Sequence, residues 1–195
     1  MENAMACKSG EPPRKIFLIG YRACGKTLVG RMLAARLGWE FLDMDAEISR
    51  RAGMSIRAMV ARHGWEYFRS RERELLLELS RAPAPAPGLV VATGGGAVLQ
   101  QDLWPDLRAA SLVVWLSADP AIIAARISAD QVSGEQRPAL TERGLLAEIS
   151  EVLAARTELY RQAAHLKIDT AALEPAAIIA RISERWTQDQ QKYAA

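Results

Sequence analysis

Hydrophobic residues in this chain fall into short unbroken runs set between longer segments with helical spacing. Ile16-Phe17-Leu18-Ile19, Leu89-Val90-Val91-Ala92-Thr93 and Leu112-Val113-Val114-Trp115-Leu116 are almost wholly apolar, as strands buried on both faces are. Glu40-Phe41-Leu42 and Leu166-Lys167-Ile168-Asp169 are shorter and more mixed, and read as two further strands. The segments between them predict helices over 28–37, from near Asp45 to about Gly53, and from Ser55, a suitable N-cap, to near His63-Gly64. Further helices are predicted over Trp65 to Arg81, just before Leu112, over Ala121 to Ser128, over Thr141 to Ala163 and from Pro175 to Trp186. Pro83, Pro85 and Pro87 stop the long helix and predict a stiff surface connection. Apolar strands separated by helices predict an α/β fold: a three-layer sandwich whose parallel five-stranded sheet is covered on both faces.

In such a sheet, ligands bind beyond the carboxyl ends of the strands, so the residues that follow each run carry the chemical information. After the first run comes Gly20-Tyr21-Arg22-Ala23-Cys24-Gly25-Lys26-Thr27, which fits G-x-x-x-x-G-K-[ST] between a strand and a helix. Successive amides in this loop form an anion nest at a helix N-terminus. Gly20 and Gly25 let the backbone turn and approach phosphates closely. Lys26 offers a point charge to the β- and γ-phosphates and Thr27 a hydroxyl to Mg²⁺. Gly20, Ala23, Cys24, Gly25, Lys26, Thr27 and Leu28 form the candidate nucleotide site.

The run Leu89 to Thr93 ends with no aspartate for a metal. Asp43, at the end of the neighbouring strand, can supply that ligand instead. Asp45 lies two residues on. In extended backbone the pair points to one side, one carboxylate to Mg²⁺ and the other to an acceptor hydroxyl. A cap for the following helix is an equal alternative for Asp45. Gly94-Gly95-Gly96 demands close backbone approach, either by a substrate or by a tight helix–sheet crossing. Arg69, Arg71 and Arg73 share a helix, and one of them turned inward suits a carboxylate; Arg156 and Arg161 lie on the long helix before Leu166. By spacing alone no arginine is diagnostic.

Composition narrows the setting. The chain has 195 residues, half of them hydrophobic, which suits one domain with a sizeable core. Residues 15–187 are the expected domain, after a disordered leader at 1–14 and before a polar tail at 188–195. The stretch 130–141, poor in apolar residues and containing Gly134 and Pro138, predicts a mobile lid. A net charge of +2 points to no nucleic-acid partner. No apolar run reaches membrane-spanning length, and the first residues lack the core of a signal peptide. The two cysteines are Cys7 and Cys24. A disulfide at Cys24 would obstruct the loop, so a reducing, cytoplasmic setting is expected. A monomer acting on a small molecule is the expectation.

Taken together, the loop at 20–27, Asp43-x-Asp45, Phe68-Arg69, Gly94-Gly95-Gly96, Arg137-Pro138 and Arg156-x-x-Leu159-Tyr160-Arg161 resemble the shikimate kinase family in order and spacing. The likeness runs from about Ile16 to about Trp186, and Ala-Cys-Gly-Lys-Thr in the loop is closer to the second bacterial isoform than to the first. The resemblance implies a P-loop NTPase-like kinase that uses ATP and Mg²⁺ to phosphorylate the 3-hydroxyl of shikimate. It assigns Lys26 and the loop amides to ATP, and Thr27 and Asp43 to Mg²⁺. Asp45 would bind the shikimate hydroxyls and accept the proton of the attacking one. Arg69 and Arg156 would hold the shikimate carboxylate, with the amides of Gly94, Gly95 and Gly96 lining the same pocket. Arg137 would reach the nucleotide phosphates from the lid, and Arg126 would lie under the adenine. Ala23 departs from the glycine of many members, and Tyr21-Arg22 has no assigned role.

Two rivals are discriminable. A gluconate kinase shares the phosphate nest and the lid but does not need arginines at both 69 and 156. A nucleotide-dependent switch protein is disfavoured because the chain has no N-K-x-D base-recognition motif.

Overall fold

Five strands pair in the order β2-β3-β1-β4-β5, every neighbouring pair parallel. The strands are β1 (Lys15–Ile19), β2 (Glu40–Asp43), β3 (Leu89–Ala92), β4 (Leu112–Ser117) and β5 (Leu166–Asp169). The helices are α1 (Lys26–Leu37), α2 (Met44–Ala52), α3 (Ile56–Arg81), α4 (Trp104–Ala110), α5 (Pro120–Ala129), α6 (Leu145–Ala163) and α7 (Pro175–Ala194). This computed structural model describes residues 14–129 and 144–194. The leader, Cys7 and the 130–141 stretch with Arg137 lie outside the described residues.

Alternation along the buried strands builds the three layers. Phe17 and Ile19 of β1, Val91 of β3, and Val113 and Trp115 of β4 face one way. There they meet Met44 and Ile48 of α2, Phe68, Leu75 and Leu76 of α3, Trp104 of α4, and Tyr160 of α6. Ile16, Leu18, Val90, Val114 and Leu116 face the other way, onto Val29 and Leu33 of α1 and onto Ile178, Ile179, Ile182 and Trp186 of α7. Burying each such side chain contributes about 1.5–3 kcal/mol, so both faces of the sheet have strong reason to stay covered. The continuous apolar runs that predicted two-sided burial thus have the packing they require.

The two helices expected on either side of His63-Gly64 are both present within α3, separated where Gly64 leaves the helical conformation at φ 81 and ψ 170. Two features differ from the sequence reading, each for a local reason. The helix expected to close near Trp186 continues to Ala194. No glycine or proline interrupts its polar end, and an Arg185–Asp189 pair at 2.9 Å, spaced i,i+4, supports it. Asp43, not Asp45, caps α2: its Oδ1 accepts from the amides of Asp45 and Ala46 at 3.0 and 3.2 Å. The helix begins directly at the strand end, so the backbone does not stay extended through Asp45.

The order of strands positions the site. β1 is central, with β3 on one side and β4 on the other. The loop after β1, the glycine turn after β3 and the residues after β2 therefore leave the same edge of the sheet side by side.

Candidate active site

The loop between β1 and α1 is held open by backbone geometry. Gly20 has φ 138, and a Cβ there would run into the carbonyl oxygen of Leu116 on β4. Gly25 takes φ 92 and ψ 10 as the N-cap of α1, with no side chain capping the helix. The first amides of α1 are therefore available to an anion, and the helix dipole favours negative charge there. The Lys26 ammonium folds over the loop and donates to the carbonyl oxygens of Gly20 and Tyr21 at 2.9 and 2.7 Å. Cys24 is fully buried in the core behind the loop, so it fills space there and is shielded from reagents. Leu28 projects outward at the start of α1, 55% exposed.

Thr27 and Asp43 meet directly: the threonine hydroxyl donates to Asp43 Oδ2 at 2.7 Å. Asp43 thus uses one oxygen to cap α2 and turns the other to the loop. A hydroxyl beside a carboxylate, both hard oxygen donors at the mouth of an anion nest, fits Mg²⁺ sharing its sphere with phosphates and water. Among the described residues no cluster of three or more His, Cys, Asp or Glu is placed to hold a metal on its own. Asp45 sits half-buried in the first turn of α2, two residues from Asp43.

One strand away, three distant segments meet at the glycine turn after β3. Arg69 of α3 packs its guanidinium so closely on Gly96 that any Cβ there would overlap it. Arg156 of α6 donates to the carbonyl oxygen of Gly95 at 3.1 Å. Tyr160, one turn further along α6, donates to that same oxygen at 2.6 Å. Burial raises the Tyr160 phenol well above its ordinary pKa, so it stays a donor. Arg69 pairs with Glu72 at 2.5 Å; Glu72 is fully buried and Arg69 20% exposed. The rings of Trp65 and Phe68 lie 5.5 and 5.2 Å from the Arg69 guanidinium. Two cations on one glycine turn, beside a phosphate nest and a metal pair, can hold an anionic small molecule against a nucleotide.

Comparison with known proteins decides the family. The shikimate kinase family model matches residues 22–187. The chain belongs to the shikimate kinase family. The shikimate kinase of Oleidesulfovibrio alaskensis is 47% identical over 166 residues, which is 85% of this chain and 92% of that one. Shikimate kinase 2 of Syntrophotalea carbinolica is 43% identical over 87% of this chain and 94% of its own. Shikimate kinase from Acinetobacter baumannii, solved in complex with shikimate, superposes with a TM-score of 0.81 at 32% identity, covering 93% of this chain and 96% of that one. A gluconokinase from Sinorhizobium meliloti reaches a TM-score of 0.55 at 14% identity; that likeness is one of fold alone. As a shikimate kinase family member the chain is an ATP- and Mg²⁺-dependent phosphotransferase acting on a hydroxyl group.

Ion pairs and hydrogen bonds sort the remaining arginines. Arg71 pairs with Glu74 and Arg73 with Asp102 on the surface, at 2.8 and 2.5 Å. Arg161 pairs with Glu158 at 2.6 Å, also exposed. Only Arg69 of the first trio turns to the glycine turn. Arg126 of α5 donates to the carbonyl oxygens of Ala23, in the loop, and of Thr170, after β5, at 3.4 and 2.9 Å. It therefore joins the loop to the turn beyond the last strand.

Sequence reasoning gave no role to four residues that the fold brings in: Glu72, Tyr160, Arg22 and Glu148. Glu72 and Tyr160 lie three and four residues from Arg69 and Arg156, a helical spacing that could have drawn attention to them. Arg22 pairs with Glu148 at 3.0 Å across 126 positions, which no local pattern announces. Ala23 is the one non-glycine among the described residues with positive φ, at 58, a conformation that glycine adopts with less strain than alanine.

Proposed function

We propose that this chain transfers the γ-phosphoryl group of ATP to the 3-hydroxyl of shikimate, giving shikimate 3-phosphate and ADP. The observation that carries the reading is the meeting of Arg69 and Arg156 on the Gly94-Gly95-Gly96 turn, one strand from the phosphate loop. A carboxylated polyol is the acceptor such a pair selects, because guanidinium forks match carboxylates in geometry as well as charge.

The resemblance to shikimate kinases supports the following roles. The loop amides and Lys26 hold the nucleotide phosphates, and Thr27 with Asp43 holds Mg²⁺. The metal supplies neutralisation of charge on the transferring group. Asp45 orients the acceptor hydroxyls and takes the proton of the attacking oxygen, since an alcohol is a weak nucleophile. Arg69, Arg156 and the glycine amides fix the carboxylate end. Arg126 is assigned to the adenine and Arg137 to the nucleotide phosphates. We further propose that the kinase domain spans 15–187 and acts as a cytoplasmic monomer.

A coupled assay of ADP release tests the reading. ATP consumption should require shikimate and Mg²⁺ and should not respond to gluconate. Consumption with gluconate, or without any alcohol, overturns it.

A further inference from the structure

We infer that Arg22, held by Glu148, is a positioning residue that locks the phosphate loop to the acceptor pocket through helix α6. The inference rests on the function proposed above and assigns part of the loop that motif and family pattern leave blank.

Three contacts close a ring. First, the loop touches the glycine turn backbone to backbone: a Cβ on Gly95 would lie 3.2 Å from the Arg22 nitrogen and 3.6 Å from the Tyr21 carbonyl carbon. Nothing larger than hydrogen fits comfortably there. Second, α6 holds the turn, Arg156 and Tyr160 both donating to the Gly95 carbonyl oxygen at 3.1 and 2.6 Å. Third, the same helix holds the loop, because Arg22 Nη2 donates to Glu148 Oε1 at 3.0 Å. Glu148 and Arg156 are eight residues apart, about 12 Å along a helix rising 1.5 Å per residue. One rigid element thus grips the donor side and the acceptor side of the reaction.

The energetics of the pair argue for geometry over stability. Glu148 is 2% exposed and Arg22 18%. Arg22 Nε is buried without a hydrogen-bond acceptor, as is the neighbouring Tyr21 hydroxyl. Desolvation of such a pair offsets most of its attraction, so it contributes little net stability. What it contributes is arrangement. Glu148 also occupies the first turn of α6, where the helix dipole favours a carboxylate, so its own position is well determined. Arg22, joined to it through Nη2, passes that determination to the loop. Tyr21 reinforces it by burying its ring against Ile123 of α5 and Ile149 of α6.

In-line transfer punishes small errors, a displacement of about 1 Å costing on the order of 100-fold in rate. Breaking the pair should therefore lower kcat while nucleotide affinity, carried by amides and Lys26, holds. The variants are Arg22→Met, Glu148→Gln, their double, and Arg22→Lys, which keeps the charge and loses the fork. Measurements are initial rates in ATP and in shikimate, nucleotide titration by calorimetry to count competent sites, and thermal unfolding. The expected result is a fall in kcat per competent site of roughly 10- to 100-fold in each single variant. Nucleotide Kd should stay within about threefold, and the double should be no worse than the poorer single, as for groups acting as a unit. A kcat per competent site within about threefold of the unmodified chain, or losses that multiply in the double, overturns the inference. If Glu148→Gln does not fold, Arg22→Lys carries the same comparison. An unmodified chain that consumes no ATP with shikimate defeats the functional reading instead, and is seen before any variant is made.

Discussion

On the function proposed here, the phosphate loop and the carboxylate end of the site solve the same problem, holding an anion, in opposite ways. The loop does so with eight consecutive residues, and most of its donors are backbone amides at the start of α1. It needs no counter-charge of its own, because partial charges on amides are cheap to bury beside apolar strands. The carboxylate end draws Arg69 from α3, a glycine turn from the end of β3, and Arg156 from α6. It uses full charges, and these demand compensation: Glu72 sits fully buried against Arg69. Dipole recognition is thus local and tolerant of surrounding sequence, whereas recognition by charged forks is assembled by tertiary packing and brings partners with it.

The contrast is open to test, and the largest effect should come where the two ends meet. Asp45→Asn should retain ATP binding by calorimetry and lose about 10²- to 10⁴-fold in kcat, the usual contribution of a positioned base. Near-normal turnover would remove Asp45 from the chemistry. Next comes the charged end: Arg69→Ala should raise the KM for shikimate by roughly 100-fold, in line with the 2–5 kcal/mol typical of truncating one partner of a buried charge pair. The KM for ATP should hold. It should also lower thermal stability, since buried Glu72 loses its ion pair with Arg69; an unchanged melting temperature would show that this pair adds no net stability.

A matched pair of glycine substitutions then separates the ends. Gly96→Ala puts a methyl into the Arg69 guanidinium, a flexible group, so it should raise the shikimate KM about tenfold with modest loss of stability. Gly20→Ala puts the methyl against the backbone of β4 at φ 138. It should destabilise by roughly 1–3 kcal/mol and weaken nucleotide binding. Equal effects of the two on both substrates would erase the distinction drawn here. Smaller still, Ala23→Gly should leave activity intact and hold or raise the melting temperature by a few degrees. Relief of a left-handed alanine, worth about 1–2 kcal/mol, outweighs the added freedom of glycine in the unfolded chain, about 0.4–1 kcal/mol. A clear fall in melting temperature contradicts that.

The smallest effect is one of pH, away from the site. His165 Nδ1 accepts from the Val113 amide at 3.1 Å, and burial, reinforced by Arg108 and Arg185, lowers its pKa below the ordinary 6.5. The neutral form is the one that folds. The unfolded chain then binds the extra proton, so this residue's contribution is present above about pH 6.5 and is lost as pH falls below it. His165→Asn, which keeps an acceptor, should flatten the decline in melting temperature between about pH 6.5 and 5.

What could be seen in the sequence follows the same division. The sheet, its five strands and the loop were legible because each is written in adjacent residues: apolar runs, then glycine, lysine and threonine. Asp43 and Asp45 were legible as a pair but not as individuals. Their roles depend on whether the chain stays extended, and α2 starts too soon for that. Arg69 could not be told from Arg71 and Arg73 without knowing which side of α3 faces Gly96. Glu148 could not be connected to Arg22 at all, because the connection exists only once α6 has packed against the loop.

The Trp115 ring stacks on Tyr160 with centroids 5.5 Å apart and planes inclined by 21°. Tyr160 in turn holds the Gly95 carbonyl oxygen. Ultraviolet emission from that indole should therefore change if ligand entry moves the glycine turn and Tyr160 with it, and the same titration on Trp115→Phe identifies how much of the signal originates there; an unchanged signal in the unmodified chain would show that the stack stays put.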